Sequence, residues 1–241
     1  MTDSRPVIEI QNLAKAFGYL PVLKKINLTI QRGQFVALLG PNGSGKSTLL
    51  RLICGLSKPT VGTISVGGWS IPGEAEAIRA QIGFVSHKAL LYNNLTAQEN
   101  LAFYTRLYHL QNSASRIDLL LGQVGLSKRA HSLVRTFSRG MQQRLSIARA
   151  LLHEPHVLLF DEPFTGLDQD AAVVLDNLLL EAYAEGHTIL MTTHQLERAA
   201  RLANRIVILS RGTIAYDSTD PLDALQLSTL YAEKTGAANA R

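Results

Sequence analysis

The residues from Gly40 to Ser47, in the order G-P-N-G-S-G-K-S, have the types and spacing to grip a chain of phosphates. Glycines at Gly40, Gly43 and Gly45 let the backbone curl until successive N–H groups point inward as an anion nest. A helix opening near Lys46 adds the positive end of its dipole. Lys46 supplies a mobile point charge for the outer phosphates, and the Ser47 hydroxyl is a hard oxygen ligand suited to magnesium. Pro41, Asn42, Ser44 and Thr48 complete the nucleotide-binding stretch. The plain alternative is a Gly/Ser turn with a stray lysine. The apolar strand pattern VALLG that ends at Gly40, and the helical start after Ser47, are the context in which this spacing marks a nucleotide triphosphate site.

A second constellation, VLLFDE, lies at 157–162. Its apolar run buries a strand, and two acids follow at the carboxyl end, where open α/β sheets place their ligands. Asp161 would hold magnesium through its water, and Glu162 would polarise an attacking water as general base. Taken alone, an ordinary strand ending in a polar turn explains such a run. Beside a phosphate loop, the same run implies hydrolysis.

These groups need a scaffold, and the hydrophobic pattern supplies one. Residues 7–30 alternate apolar and polar as half-buried antiparallel strands do, and 63–71 repeats the pattern, predicting a small β-layer beside the loop. A short strand follows at 82–87. From Thr96 the signal turns helical: Thr96-Ala97-Gln98-Glu99 is a capping box. A second helix ends at Gly125, and a third, from about Ser138, carries Met141, Leu145, Ala148 and Leu152 on one face. Non-alternating strands at 156–162, 187–194 and 205–210, with helices at 169–185 and 195–203 between them, predict a mostly parallel sheet buried on both faces.

Composition bounds the setting. The 241 residues are 46% hydrophobic and 18% charged, the profile of a globular protein. No apolar run approaches the ~20 residues of a membrane helix, and the first residues lack the apolar core of a signal peptide. The lone cysteine, Cys54, reads as a small core residue, which makes a reducing cytosol the expected compartment. A net charge of +5 suits a nucleotide, acidic lipid or nucleic acid without choosing among them.

The stretch FSRGMQQRLSIARALLHEP, from Phe137, resembles the signature of the ATP-binding-cassette (ABC) family, and the resemblance runs through the whole chain in the family's order. It implies an α/β P-loop NTPase with a mostly parallel RecA-like sheet, an antiparallel β-subdomain and a helical subdomain inserted at about 88–153, all within one domain of residues 1–241. It further implies ATP and Mg2+ as cofactors, with Phe17 stacking on adenine and His194 as the switch histidine. Tyr19 is a rival for the stacking role, and a histidine at a strand end is otherwise usually structural. In such proteins two copies face head to tail, so Ser138 and Gly140 would contact the γ-phosphate held by the partner. Asp168 would touch the partner's phosphate loop, cap the following helix, or both.

Three positions depart from the family pattern. His87 stands where a magnesium-reaching glutamine is usual; imidazole is a poor magnesium ligand, so it is expected to act through water or to sense a partner. Arg139 and Met141 replace a glycine and a glutamine of the signature. The implied function is the ATPase subunit of a transporter, peripheral on the cytoplasmic face of the cell membrane and driving separate integral membrane subunits. Leu90, Leu91 and Tyr92 would form the docking patch for that partner, unless they pack internally. The histidine at 87, the signature variant and the short tail also resemble the ATP-binding subunit of the haem exporter of cytochrome c maturation, on fewer residues. The competing class is a soluble ABC ATPase acting on nucleic acid or in iron–sulfur assembly. Its coiled-coil or zinc-binding insertions, or a second cassette, are absent from the sequence, so no nucleic-acid partner is expected.

Overall fold

In the computed structural model, which describes residues 6–236, the alternating stretch near the N-terminus is an antiparallel hairpin of β1 (Ile8–Phe17) and β2 (Leu20–Ile30). Ile8, Ile10, Leu13, Leu23, Ile26, Leu28 and Ile30 are buried and share one core, as one covered face of a pleated pair requires. β3 (Phe35–Leu39), buried at every residue, leads through the loop at 40–45 into α1 (Lys46–Ile53). The alternating stretch at 63–71 falls in two strands, β4 (Val61–Val66) and β5 (Trp69–Ile71). Gly67 and Gly68 divide them with φ of 59° and 91°, the backbone that a two-residue hairpin turn needs. These strands form a four-stranded antiparallel sheet in the order β2-β1-β4-β5.

After α2 (Ala75–Gln81) and β6 (Ile82–Val85), the chain builds a helical lobe from α3 (Ala97–Leu107), α4 (Ser113–Gln123) and α5 (Arg139–Leu151). α3 opens with the expected capping box: Thr96 Oγ1 accepts from the Glu99 N–H at 3.1 Å, and Glu99 Oε2 accepts from the Thr96 N–H at 2.7 Å. Leu145, Ala148 and Leu152 pack among Leu101, Leu120 and Leu121, with Met141 at the edge. The other side of α5 presents Ile147 and Ala150 to Leu158, Phe160 and Ile189 of the sheet. One helix therefore belongs to two cores.

The remainder alternates as β7 (Val157–Asp161), α6 (Gln169–Ala184), β8 (Thr188–Thr192), α7 (Leu196–Leu202) and β9 (Arg205–Ser210). The second sheet has the order β10-β9-β3-β8-β7-β6 and is parallel apart from β10 (Thr213–Ser218), which pairs antiparallel with β9. β3, β7 and β8 show no exposed residue, which accounts for their lack of alternation. β10 and the final α8 (Ala224–Thr235) lie beyond the elements expected from the pattern. Arg211 and Gly212, at φ 51° and 82°, turn β9 into β10, and Asp223 with Gln226 forms a capping box for α8. Among the described residues no helix is long and apolar enough to cross a membrane.

Candidate nucleotide-binding and hydrolysis site

β3 delivers the phosphate loop at its carboxyl end, and close packing dictates its glycines. A Cβ on Gly40 (φ 154°) would lie 2.2 Å from the Leu209 carbonyl oxygen and 2.7 Å from Ser44 Oγ. A Cβ on Gly45 (φ 108°) would lie 2.6 Å from Leu23 Cδ2, so the β1–β2 hairpin rests against the start of α1. Ser44 Oγ is buried with no hydrogen-bond partner among the described residues. A buried donor of this kind calls for an acceptor, and a phosphate oxygen fits. Lys46 is buried, and its Nζ donates to the carbonyls of Gly40 at 2.7 Å and Pro41 at 3.3 Å. Burial pulls its pKa below the usual lysine value, against the opposing pull of the Glu162 and Asp161 carboxylates.

Asp161 ends β7 beside this loop, and Glu162 follows it. Ser47 Oγ donates to Asp161 Oδ1 at 2.8 Å, and the same carboxylate oxygen accepts from Thr192 Oγ1 at 3.0 Å. Ser47 and Asp161 thus form an oxygen-only pair, which suits a hard divalent cation. Glu162 has φ 52°, a region sparsely used by residues with a side chain. Its N–H is held by Thr192 at both Oγ1 (2.9 Å) and the carbonyl (3.2 Å). The side chain projects between two cations or potential cations: Lys46 Nζ is 3.8 Å from Oε1, and His194 Nδ1 is 2.8 Å from Oε2. Lys46, Ser47, Asp161, Glu162 and His194 are thus joined by short contacts at the carboxyl end of the sheet.

Glu162 and His194 line a cleft of about 490 Å³ with Gly40, Pro41, Asn42, His87, Thr165 and Tyr231 on its other walls. His87 is exposed on that wall, at the end of a loop anchored elsewhere. Two contributors escaped the sequence reading. Thr192 sits inside an apolar run with nothing but its place before His194 to mark it. Tyr231 arrives on α8; burial and the Glu162 carboxylate push its phenol above the ordinary tyrosine pKa.

Other expected residues lie outside the cleft. Phe17 and Tyr19 are both exposed at the tip of the β1–β2 hairpin, and Lys15 Nζ sits 4.8 Å from the Phe17 ring centroid, covering it by a cation–π contact. Ser138 caps α5, its Oγ accepting from the Met141 N–H at 3.3 Å. Gly140 is pressed against α6, where a Cβ would come 2.8 Å from that of Ala171. Asp168 caps α6 through the Ala171 N–H at 2.8 Å. Neither Ser138 nor Gly140 nor Asp168 is on the walls around Glu162.

The segment 86–96 is held by two buried polar side chains that sequence alone did not single out. Asn100 accepts from the Tyr92 N–H at 2.8 Å and donates to the carbonyls of Tyr92 (3.0 Å) and Thr96 (2.9 Å). Arg149 of α5 donates to the Phe84 carbonyl at 2.6 Å and the Leu90 carbonyl at 3.3 Å. The expected patch divides: Leu91 packs into the helical lobe, whereas Leu90 and Tyr92 stay half exposed. Tyr92 leans edge-on against Phe103, ring centroids 4.8 Å apart. Leu90 borders an apolar cleft of about 190 Å³ with Leu56, Phe84, Tyr104 and Tyr108.

A glycine-rich cradle on a mostly parallel sheet, with a carboxylate pair at the end of the next strand but one, defines a nucleoside-triphosphate-binding α/β domain. The profile of the ABC transporter family matches residues 23–165. The Nod factor export ATP-binding protein I of Ralstonia nicotianae is 37% identical over 211 residues, covering 87% of this chain and 66% of that protein. The linearmycin resistance ATP-binding protein LnrL of Bacillus subtilis is 36% identical, covering 86% of this chain and 67% of that protein. A solved ATP-binding subunit of an ABC transporter superposes with a TM-score of 0.85 at 33% identity, covering 95% of this chain and 99% of that one. A dimeric cassette in a post-hydrolysis state, bound to ADP and Pi, gives 0.79 at 32% identity, with coverage of 88% and 97%. The chain belongs to the ABC transporter family. It is an ATP-binding cassette of the ABC ATPase type. The chain spans about two thirds of the length of these curated relatives.

Proposed function

We propose that this chain is the ATP-hydrolysing subunit of an ABC transporter, a single cassette domain over residues 1–241 with its helical subdomain at about 88–153. Two copies would close head to tail around two ATP molecules and drive separate integral membrane subunits from the cytoplasmic face. One observation carries the reading. Gly40, Pro41 and Asn42 of the phosphate loop share a cleft with Glu162 and His194, while the cap residue Ser138 and Gly140 stand outside it, available to another copy. The dimeric, ADP-bound cassette among its structural neighbours supports the same arrangement. In this scheme the N–H groups of Gly40–Thr48 and Lys46 Nζ hold the phosphates, with Phe17 against the adenine. Glu162 accepts the proton of the attacking water, and His194, bonded to its other oxygen, fixes the carboxylate's direction. Ser138 and Gly140 of one copy meet the γ-phosphate of the other copy's ATP, and Asp168 touches that copy's phosphate loop. Mg2+, held by Ser47 and Asp161, would neutralise charge building on the phosphate oxygens. His87 lies on the cleft wall, suited to act through a water or to report on the partner.

Leu90, Tyr92 and the apolar cleft beside them fit a short helix from the membrane partner, with Leu91 holding the segment from within. The names of the relatives refer to Nod factor export and linearmycin resistance, and the haem-export reading gains no support from them. The cargo is therefore left unassigned. The test is Glu162→Gln: with ATP and magnesium the variant should bind nucleotide, fail to hydrolyse it and elute as a dimer on sizing. A monomer under those conditions would contradict the sandwich.

A further inference from the structure

Arg139 is the first residue of α5, next to Ser138, and its Nε donates to the Thr165 carbonyl at 2.8 Å. The side chain also lies over Gly166, where a Cβ would stand 2.8 Å from Nε and 3.0 Å from Cδ. Gly166 has φ 75°, backbone that favours glycine, and a side chain there would push the Arg139 side chain aside. The Thr165 N–H in turn bonds to the Glu162 carbonyl at 3.2 Å. An unbroken path therefore runs from the hydrolytic residue of a subunit, through Thr165 and the guanidinium, to the residue beside Ser138. A charged donor makes this link stronger than a neutral one, and a glycine at position 139 would make no link at all.

We propose that Arg139 is a positioning residue that ties each subunit's own cleft to the segment it offers its partner. The state of Glu162 in one composite site would then be felt by Ser138 in the other. This inference rests on the head-to-tail dimer proposed above. Because the contact is a single hydrogen bond to a carbonyl rather than a fork, a lysine at 139 can replace part of it, and an alanine cannot.

The experiment is steady-state ATPase activity of the full chain against ATP concentration, for wild type, Arg139→Ala and Arg139→Lys. Wild type should show a Hill coefficient above about 1. In Arg139→Ala it should fall towards about 1 and kcat should drop about two- to tenfold, the worth of one hydrogen bond. Binding of a fluorescent ATP analogue to the monomer and the melting temperature should be unchanged, and Arg139→Lys should recover part of both kinetic losses. A hyperbolic wild-type curve, an unchanged Arg139→Ala, or a lysine variant as impaired as alanine would each overturn the proposal. Failure of Glu162→Gln to dimerise would remove the dimer itself. A normal Glu162→Gln dimer with an unaffected Arg139→Ala would remove only the tie.

Discussion

Thr192→Val is the sharpest test of how the base and the cation pair are held. Valine keeps the shape of threonine, so no cavity opens at this fully buried position. What is lost is the hydroxyl, which donates to Asp161 Oδ1 at 3.0 Å and accepts from the Glu162 N–H at 2.9 Å. Neither partner is orphaned: Asp161 keeps Ser47 at 2.8 Å, and the Glu162 N–H keeps the Thr192 carbonyl at 3.2 Å. The loss is then one bond to a carboxylate and half of a shared donor, about 2 kcal/mol in total. In a domain of this size that lowers the melting temperature by about 4–8 °C. The functional effect should exceed the loss in stability, because Glu162 sits at φ 52° and Asp161 orients any bound cation. Removing such a supporting bond typically costs about 10–100-fold in metal affinity or activity. Thermal melts and a magnesium titration of ATPase activity read the two effects. A melting temperature within about 1 °C of wild type, with an unshifted magnesium curve, would refute the reasoning.

Lys46→Ala should abolish ATPase activity, since the Nζ bonds the loop carbonyls and lies 3.8 Å from Glu162 Oε1; near-normal turnover would reassign the loop. Charging the exposed half of the docking patch, Leu90→Asp with Tyr92→Asp, should cut co-purification with a membrane partner and leave ATP binding intact, and equal recovery would remove the patch from consideration. His153 is half-buried, stacked on Tyr108 with ring centroids 4.2 Å apart, and this partial burial lowers its pKa from 6.5. The unfolded chain therefore takes up this proton first as pH falls. Stability from the neutral ring is complete above 6.5 and declines as pH drops through the lower folded value. Denaturant midpoints at neutral and mildly acidic pH should show a decline that is smaller in His153→Gln, and equal declines would refute it.

The chemistry-bearing residues were legible because local sequence builds them. A strand, a glycine turn and a helix start make the phosphate cradle, and the two acids end a strand whose apolar run announces it. The helical lobe was legible through its capping box and the periodic face of α5. Thr192, Asn100 and Arg149 were not, because their partners lie across the fold: Thr192 meets Asp161 on the neighbouring strand, and Arg149 meets carbonyls at Phe84 and Leu90. Hydrophobic periodicity carries no trace of a buried side chain that bonds a distant backbone. β10 and α8 were more accessible, since an Arg-Gly turn and an Asp-x-x-Gln cap mark them, yet Tyr231 could be assigned to the cleft only once the sheet order was known. Leu91 turned inward because the lobe core takes the alternate side chain of the segment that Asn100 pins.

α5 begins at Arg139 beside the cap residue and ends near Arg149, which donates to the Phe84 and Leu90 carbonyls. A helix of 13 residues is a rod about 20 Å long. In the proposed assembly its two ends answer to different constraints, one set by a nucleotide and the other by the membrane partner. A designer wishing to re-address this motor to a new membrane component would therefore exchange residues around 84–96 together with the tail of α5, and leave the front of the same helix untouched. Chimeras cut at the middle of α5 should retain turnover while changing what they turn over for.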